Sequence, residues 1–469
     1  MKFHLLYIFF FASTSGLFSQ SLTQKITKAY AVFEQDAQLR YGLSSLTVLN
    51  SKTGEVLFSK NADMGLAPAS TLKTITSATA YQILGKEFRW ETALGYTGSI
   101  TNGVLRGDLI LKGSGDPTLG SNRYSQSKPD VLLAKWVNAL KTAGIKKIDG
   151  RVIVDDSLFG TQTVPLGWIW QDIGNYYGAG ATSASWRENE FGLVFKAGNE
   201  PGDKTQLIRT EPAIANLTII NEVTTGKAGS GDNVYAYSSP YSDIVYLRGT
   251  YGLDLQKTIK ASIPDPALVL ASELQGYLQM SGIPSQNKAS TARQINAQGQ
   301  KSPQALKIIS LYQSPSLSQV VYWLNQKSLN LYAENLLKTL ALNQGKDAGF
   351  EEGVQVIKEY WASKGIDHNS LNVLDGSGLS PENRITTKTM AKILQLVKSE
   401  PWFGSFYESL PLYNNMKMKS GSIRNVLCYT GYEESKQGTP LVFTFITNNY
   451  NGSTSDIKQK MFKVLDSLK

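Results

Sequence analysis

The alternation of apolar and polar positions gives the chain two textures. Near the N-terminus, Ile26, Tyr30, Phe33 and Ala37 recur at helical spacing within Leu22 to Leu39, and Gly42 stops the pattern, which predicts a first helix. Ser45 to Leu49 and Glu55 to Phe58 flank Asn50-Ser51-Lys52-Thr53-Gly54, a hairpin signal. Ser70 to Leu84 contains neither glycine nor proline and reads as a helix. At the far end, Val426 to Tyr432 and Leu441 to Thr447 read as adjacent strands, and Ile457, Met461, Val464, Leu465 and Leu468 line one face of a last helix. Between these ends lie short alternating strands such as Val104 to Lys112, Arg151 to Val154, Leu217 to Val223 and Asp243 to Leu247, separated by Gly, Asn and Ser turns, with one helix from Val131 to Ala143 stopped by Gly144. Helical signals return at Leu317 to Leu342 and Gly353 to Lys364. The middle therefore reads as a β-rich unit inserted into a domain made from both ends.

The first residues change the picture of where this chain works. Met1-Lys2 precedes the apolar run Leu5 to Phe11, small and polar residues Ala12 to Gly16, and then Leu17-Phe18-Ser19-Gln20, which is a secretory signal layout with cleavage expected near Ser19 or Gln20. The apolar run is too short for a permanent bilayer span. A periplasmic or otherwise exported address is expected, where ATP and nicotinamide cofactors are scarce and cofactor-free hydrolysis is the natural chemistry. Of the 469 residues only two are histidines, His4 and His368, and one is a cysteine, Cys428, so His-cluster and Cys-rich metal sites and internal disulfides are excluded and a Ser-His-Asp triad rests on a single candidate. No metal and no cofactor are expected. Lys plus Arg total 47 against 38 Asp plus Glu, a net charge of +9, without a dense basic run, so dispersed charge on solvated faces is expected rather than nucleic-acid binding.

Three short segments carry candidate chemistry. Pro68-Ala69-Ser70-Thr71-Leu72-Lys73-Thr74 places a serine and a lysine three apart at a helix start, where i and i+3 share a face and the Lys73 amine can reach the Ser70 hydroxyl. A serine becomes a useful nucleophile only when a base accepts its proton, and a lysine whose pKa is depressed by burial or neighbouring cations can do so. Taken alone, Ser70 is more simply an N-cap. Ser328-Leu329-Asn330 precedes the helical run Leu331 to Leu342 and, alone, reads as a helix cap; its hydroxyl could relay a proton and its amide could hold a peptide group. Lys419-Ser420-Gly421-Ser422, alone a turn, combines a cation and hydroxyls that could bind a carboxylate with a glycine that allows close backbone approach.

In this order, S-x-x-K, S-x-N and K-[TS]-G are the three motifs of the penicillin-recognising serine enzymes. The chain resembles the class C low-molecular-mass penicillin-binding proteins, the D-alanyl-D-alanine carboxypeptidases and endopeptidases of peptidase family S13. Further matching segments are Gly107 to Leu111 leading to Gly113 to Leu119, Ile148 to Val152, Gly167 to Trp170, Asn330 to Asn335, and Asp375 to Ser380 with Asn383-Arg384. The long gap between Ser70 and Ser328 suits this class, whereas a simple β-lactamase has a much shorter one.

The resemblance implies an α/β fold: a penicillin-binding, transpeptidase-like (β-lactamase-like) domain from residues 21–88 and 295–469, with residues 89–294 as inserted β-rich domains, one nested in another, after a signal segment at 1–20. It implies that Ser70 is acylated, Lys73 is its base, Ser328 passes a proton to the leaving D-alanine, Asn330 orients the acyl chain, and Lys419 with Ser420 holds the terminal carboxylate. The backbone N–H groups of Ser70 and Ser422 would form the oxyanion hole, Gly421 lying between the two binding hydroxyls. Peptidoglycan stem peptides are the implied substrates and β-lactams the acylating inhibitors. Alternatives from the same superfamily are a β-lactamase or esterase, or a catalytically weak wall-binding protein; the intact Ser, Lys, Ser, Lys set speaks against the last.

The departures are specific. Ser420 replaces the usual threonine, Leu329 the usual aspartate, and only Leu412 to Met418 separates Pro411 from Lys419, where the family usually carries a longer loop. In Ser185 to Asn189 the acidic place that helps read the amine of the third stem residue falls on Glu188 or is taken by Arg187, and the role stays open. His368 is expected to be exposed, Asp155-Asp156 a solvated turn pair, and Cys428 a small core residue.

Overall fold

Six antiparallel strands from both ends of the chain form the central sheet, in the order Val56–Lys60, Leu43–Asn50, Pro440–Asn448, Val426–Glu434, Met416–Ile423 and Leu412–Tyr413. This computed structural model describes residues 21–215, 217–301 and 306–469; the expected signal segment lies outside the described residues. Alternation along the central strand explains why the sheet is covered on both faces. Leu441, Phe443 and Phe445 pack on one side against Ile26, Tyr30 and Phe33 of the helix Leu22–Glu34 and Ile457 and Met461 of the helix Thr454–Leu465. Val442 and Ile446 face the other layer, which is built around the helix Lys73–Leu84. That helix is buried from Lys73 through Tyr81, as an all-round buried helix in a helical layer must be.

The expected single helical run Leu317 to Leu342 is two helices, Leu317–Lys327 and Asn330–Asn343. The break falls at Ser328, which adopts a left-handed conformation with φ 56°. The expected strand Val104 to Lys112 is likewise two strands, Val104–Arg106 and Leu109–Lys112. At the break, a Cβ on Gly107 would lie 2.1 Å from the Thr97 carbonyl oxygen.

The intervening chain forms a five-stranded sheet, in the order Ser290–Thr291, Val152–Asp155, Leu109–Lys112, Glu91–Tyr96 and Lys307–Gln313. The last of these pairs with Glu91–Tyr96, so the inserted sheet continues beyond the boundary expected at 294. A second helix, Pro266–Met280, packs beside Pro129–Thr142 on this sheet and was not expected from the pattern, because its run of Ala, Leu and Val has no clear polar stripe. Within the insertion, Glu190–Lys196 pairs with Gln206–Glu211 and Ile259–Ser262, and a further four-stranded sheet centres on Ile244–Gly252. Asp155 and Asp156 are buried rather than solvated: Asp155 accepts from the Ser157 hydroxyl at 2.6 Å, and Asp156 from the Arg293 backbone N–H at 3.0 Å. Among the described residues no helix is long and apolar enough to cross a membrane.

Candidate active site

Ser70 sits in a 3-10 turn, Ala69–Leu72, that runs straight into the helix beginning at Lys73. It is not an N-cap. The preceding Ala69 has φ 44°, and Asn448 of the central strand holds this entry on both sides, its Oδ1 accepting from the Ala67 N–H at 2.8 Å and its Nδ2 donating to the Ala67 carbonyl at 3.2 Å. The turn is pressed between two glycines. A Cβ on Gly421 would stand 2.7 Å from the Ser70 nitrogen, and one on Gly378, whose φ is +81°, only 1.9 Å from the Ala69 carbonyl oxygen.

Lys73 Nζ lies 2.9 Å from Ser70 Oγ, 2.6 Å from Asn330 Oδ1 and 2.7 Å from the Ser377 carbonyl oxygen. The amide and carbonyl oxygens can only accept, whereas the serine hydroxyl can also donate. A neutral amine has two N–H groups and one lone pair, so satisfying both fixed acceptors turns the lone pair to Ser70. Burial pushes the Lys73 amine down to about 7, against the opposing pull of Asp375 and Glu334. A neutral amine able to accept a proton is therefore available near neutral pH.

A second lysine completes the centre from the sheet. Lys419, buried in the strand Met416–Ile423, donates to Ser328 Oγ at 2.9 Å and to the Ser420 carbonyl at 2.7 Å. Burial, and then the charge of Lys73, hold its amine well below the usual lysine range. The segment read alone as a turn is thus straight strand, with Ser422 exposed at its end. Asn330 has both ends engaged, since its Nδ2 donates to the Tyr177 carbonyl at 2.7 Å. Ser70, Ser328, Asn330 and Ser422 line one cleft of about 750 Å³, whose far wall comes from the inserted chain through Ile169, Tyr176, Tyr177 and Tyr235. His368 is exposed and is absent from this lining.

A family model described as the D-Ala-D-Ala carboxypeptidase 3 (S13) family matches residues 26–468. The chain belongs to this family. It is a serine-type D-alanyl-D-alanine carboxypeptidase, a hydrolase, with the fold of a penicillin-binding protein. It is 27% identical over 441 residues to the D-alanyl-D-alanine carboxypeptidase DacB of Haemophilus influenzae, covering 88% of this chain and 86% of that protein. To the D-alanyl-D-alanine carboxypeptidase of Actinomadura sp. it is 24% identical over 453 residues, covering 89% and 80%. The crystal structure of penicillin binding protein 4 (dacB) from Haemophilus influenzae superimposes with a TM-score of 0.77 at 22% identity, covering 92% of this chain and 97% of that one.

Around the S13 centre stand residues to which sequence reasoning gave no role. Glu334, fully buried, accepts from the backbone N–H groups of Gly376 and Ser377 at 3.0 and 2.8 Å and so fixes the carbonyl that faces Lys73. Burial, reinforced by Asp375, pushes its carboxyl upward. Asp375 accepts from the N–H groups of Gly378 and Ser380, from Asn383, and from the Trp168 indole at 2.9 Å, which ties the inserted chain to the floor of the site. Both lie in segments that matched the family, but Glu334 bonds to backbone 42 and 43 positions away, and Trp168 reaches Asp375 across 207. In this S13 chain Arg187 pairs with Glu273 at 2.9 Å, away from the cleft, while Glu188 lines it. The Glu188 carboxylate already accepts from Ser121, Arg123 and Tyr332 at 2.7, 2.9 and 2.7 Å. The short segment before Lys419 closes as a hairpin through Asn414 and Asn415, both with positive φ. Among the described residues no cluster of three or more His, Cys, Asp or Glu side chains is placed to hold a metal.

Proposed function

We propose that this carboxypeptidase trims or cleaves the stem peptides of peptidoglycan through a Ser70 acyl-enzyme, with the body of the site formed by residues 21–88 and 314–469 and the far wall by the insertion. The observation that carries the assignment of roles is the three-way placement of the Lys73 amine. Neutral Lys73 takes the Ser70 proton as Oγ attacks the carbonyl carbon of the penultimate D-alanine. The negative oxygen of the tetrahedral intermediate is met by the backbone N–H groups of Ser70 and Ser422, and each such donor contributes roughly 3 to 4 kcal/mol when removed. As the C–N bond breaks, the Ser328 hydroxyl protonates the departing amine, and Lys419, donating to Ser328 Oγ, replaces that proton. Once Lys73 has released its proton to solvent and Lys419 has regained one from solvent, water attacks the ester, Lys73 takes the water's proton, and it returns that proton to Ser70 Oγ as the ester C–O bond breaks.

Lys419 and the Ser420 hydroxyl are assigned to the terminal carboxylate. An arriving carboxylate restores the charge of a lysine that burial has depressed, so substrate binding and protonation of Lys419 support each other. Asn330 is assigned first to holding Lys73, and it meets the acyl chain only on exchanging its bond to Tyr177. An exported location fits this substrate. The Haemophilus influenzae penicillin binding protein 4 has been solved complexed with a β-lactam, which supports acylation by the same class of compound here. Intact-mass measurement after incubation with a penicillin tests the reading: one adduct is expected on the wild type and none on Ser70→Ala, and an adduct that persists on Ser70→Ala overturns it.

A further inference from the structure

Next to the cleft lies a cluster of exposed aromatic rings that the fold does not require. Trp170 is 55% exposed and Tyr176 50% exposed, with Ile169 beside them at 45%. Trp170 packs on Tyr237 with ring centroids 6.3 Å apart. Tyr237 belongs to the strand Asp232–Tyr237, which pairs antiparallel with Ile244–Gly252 so that Tyr237 lies opposite Tyr246, and Tyr235 opposite Arg248. Side chains alternate across a strand. Val234, Ala236, Val245 and Leu247 point inward and are buried, which meets the needs of the core. The outward set is Tyr235, Tyr237, Tyr246 and Arg248. The Arg248 guanidinium lies 5.4 Å from the Tyr237 ring centre and 5.6 Å from that of Tyr246, and its Nε donates to Glu222 at 2.7 Å.

Single exposed apolar residues need no explanation, but a contiguous set of flat rings bordered by planar polar groups marks a binding surface. Its continuity with the cleft names the occupant. Tyr235, Tyr176 and Ile169 belong to the cleft wall, and Trp170, Tyr237 and Tyr246 extend that wall outward. A stem peptide is attached by its N-terminal end to a polysaccharide, and its C-terminal end is at Ser70, so the peptide must leave the cleft toward its sugar. The C–H face of a pyranose ring carries partial positive charge and packs on the negative face of an aromatic ring, while Arg248 and Glu222 offer a donor and an acceptor to hydroxyl and acetamido groups. An aliphatic lipid surface would call for lysines and mostly aliphatic side chains, whereas this strip is mostly aromatic, with Ile169 and Ile244 as its exposed aliphatic members.

We propose that the Trp170–Tyr237–Tyr246 strip is a docking platform for the glycan chain that bears the stem peptide. The proposal rests on the function assigned above. Its test compares kcat/KM for a pentapeptide carried on soluble glycan strands with that for the free pentapeptide, in wild type, in Trp170→Ala/Tyr246→Ala and in Trp170→Phe. The double variant should lose about 10-fold on the glycan-borne peptide, through KM, and stay within about two-fold of wild type on the free one. Trp170→Phe should keep most of the wild-type preference. Peptide-free glycan strands should inhibit wild type and not the double variant. Equal losses on both substrates, no loss on the glycan-borne one, or no inhibition by peptide-free strands would each overturn the platform. Penicillin acylation at Ser70, measured on every variant, separates this outcome from failure of the assigned function.

Discussion

The Lys73 amine nitrogen and the Asn330 amide oxygen stand 2.6 Å apart, the shortest of the three contacts around that amine. Because the amide oxygen cannot give up a proton, it fixes one N–H of Lys73 and leaves the lone pair for Ser70. With Lys73 depressed to about 7 by burial, acylation should rise with pH through about 7. Asn330→Asp would set an anion beside the amine and stabilise its charged form, so the rising limb should move to higher pH, with roughly 10-fold lost at fixed pH for each unit moved. The pH dependence of penicillin acylation checks this. A limb that stays in place would detach Lys73 from the role of base.

Lys419→Ala should reduce turnover of a peptide ending in a free carboxylate far more than it reduces folding. A charged hydrogen bond is worth on the order of 1.5 to 3 kcal/mol, or roughly 10- to 150-fold in kcat/KM. The C-terminally amidated peptide already lacks the interaction and should lose less, only the share that comes from the proton relay through Ser328. Equal losses on acid and amide would remove carboxylate binding from Lys419 and leave it the proton relay alone.

Gly378 and Gly365 share a left-handed backbone, with φ of +81° and +82°, but only Gly378 faces another chain segment at contact distance. Gly365→Ala should cost about 1 to 2 kcal/mol of unfolding free energy from backbone strain alone. Gly378→Ala adds a collision with the Ala69 carbonyl and should cost distinctly more while abolishing acylation. Urea unfolding of the two variants provides the comparison. Similar values would show that the Asp375 loop yields easily and does not brace the Ser70 turn.

Asp116 is fully buried, one of its carboxyl oxygens has no hydrogen-bond partner, and burial pushes its carboxyl up to about 6. A carboxyl raised on folding favours the folded state while it is protonated, and that contribution disappears as pH rises from the unfolded value near 4 to about 6. Asp116→Asn removes this dependence. The stability of the variant relative to wild type should therefore climb, by on the order of 3 kcal/mol, between pH 4 and pH 7. Parallel stability curves over that range would place a partner on the open oxygen.

The parts of the site legible in the sequence are those whose geometry is local. Ser70 and Lys73 share a helical turn, and Lys419 to Ser422 form one piece of strand, so spacing alone brings each set together. Glu334 and Asp375 were not legible in the same way: they act through backbone amides and an indole, groups that no residue pattern advertises, and Trp168 reaches Asp375 from 207 positions away. The break at Ser328 was hidden because apolar residues continue with helical spacing across it, and the pattern cannot register one residue turning left-handed. Asp155 and Asp156 looked solvated because their partners, Ser157 apart, lie on distant elements such as the helix bearing Arg293.

The clasp between Ala67 and Asn448 joins positions 381 apart. A polypeptide grows from its N-terminus, so Ser70 exists long before the strand that braces its turn and the strand that carries Lys419. Until those strands are made, the contacts that brace the Ser70 turn have no partner to form with. The Asn448 brace on the Ser70 turn and the Lys419 that meets Ser328 both come from these last strands. The two ends of the chain thus share control of the site: the turn that carries Ser70 is complete only where Asn448 meets Ala67.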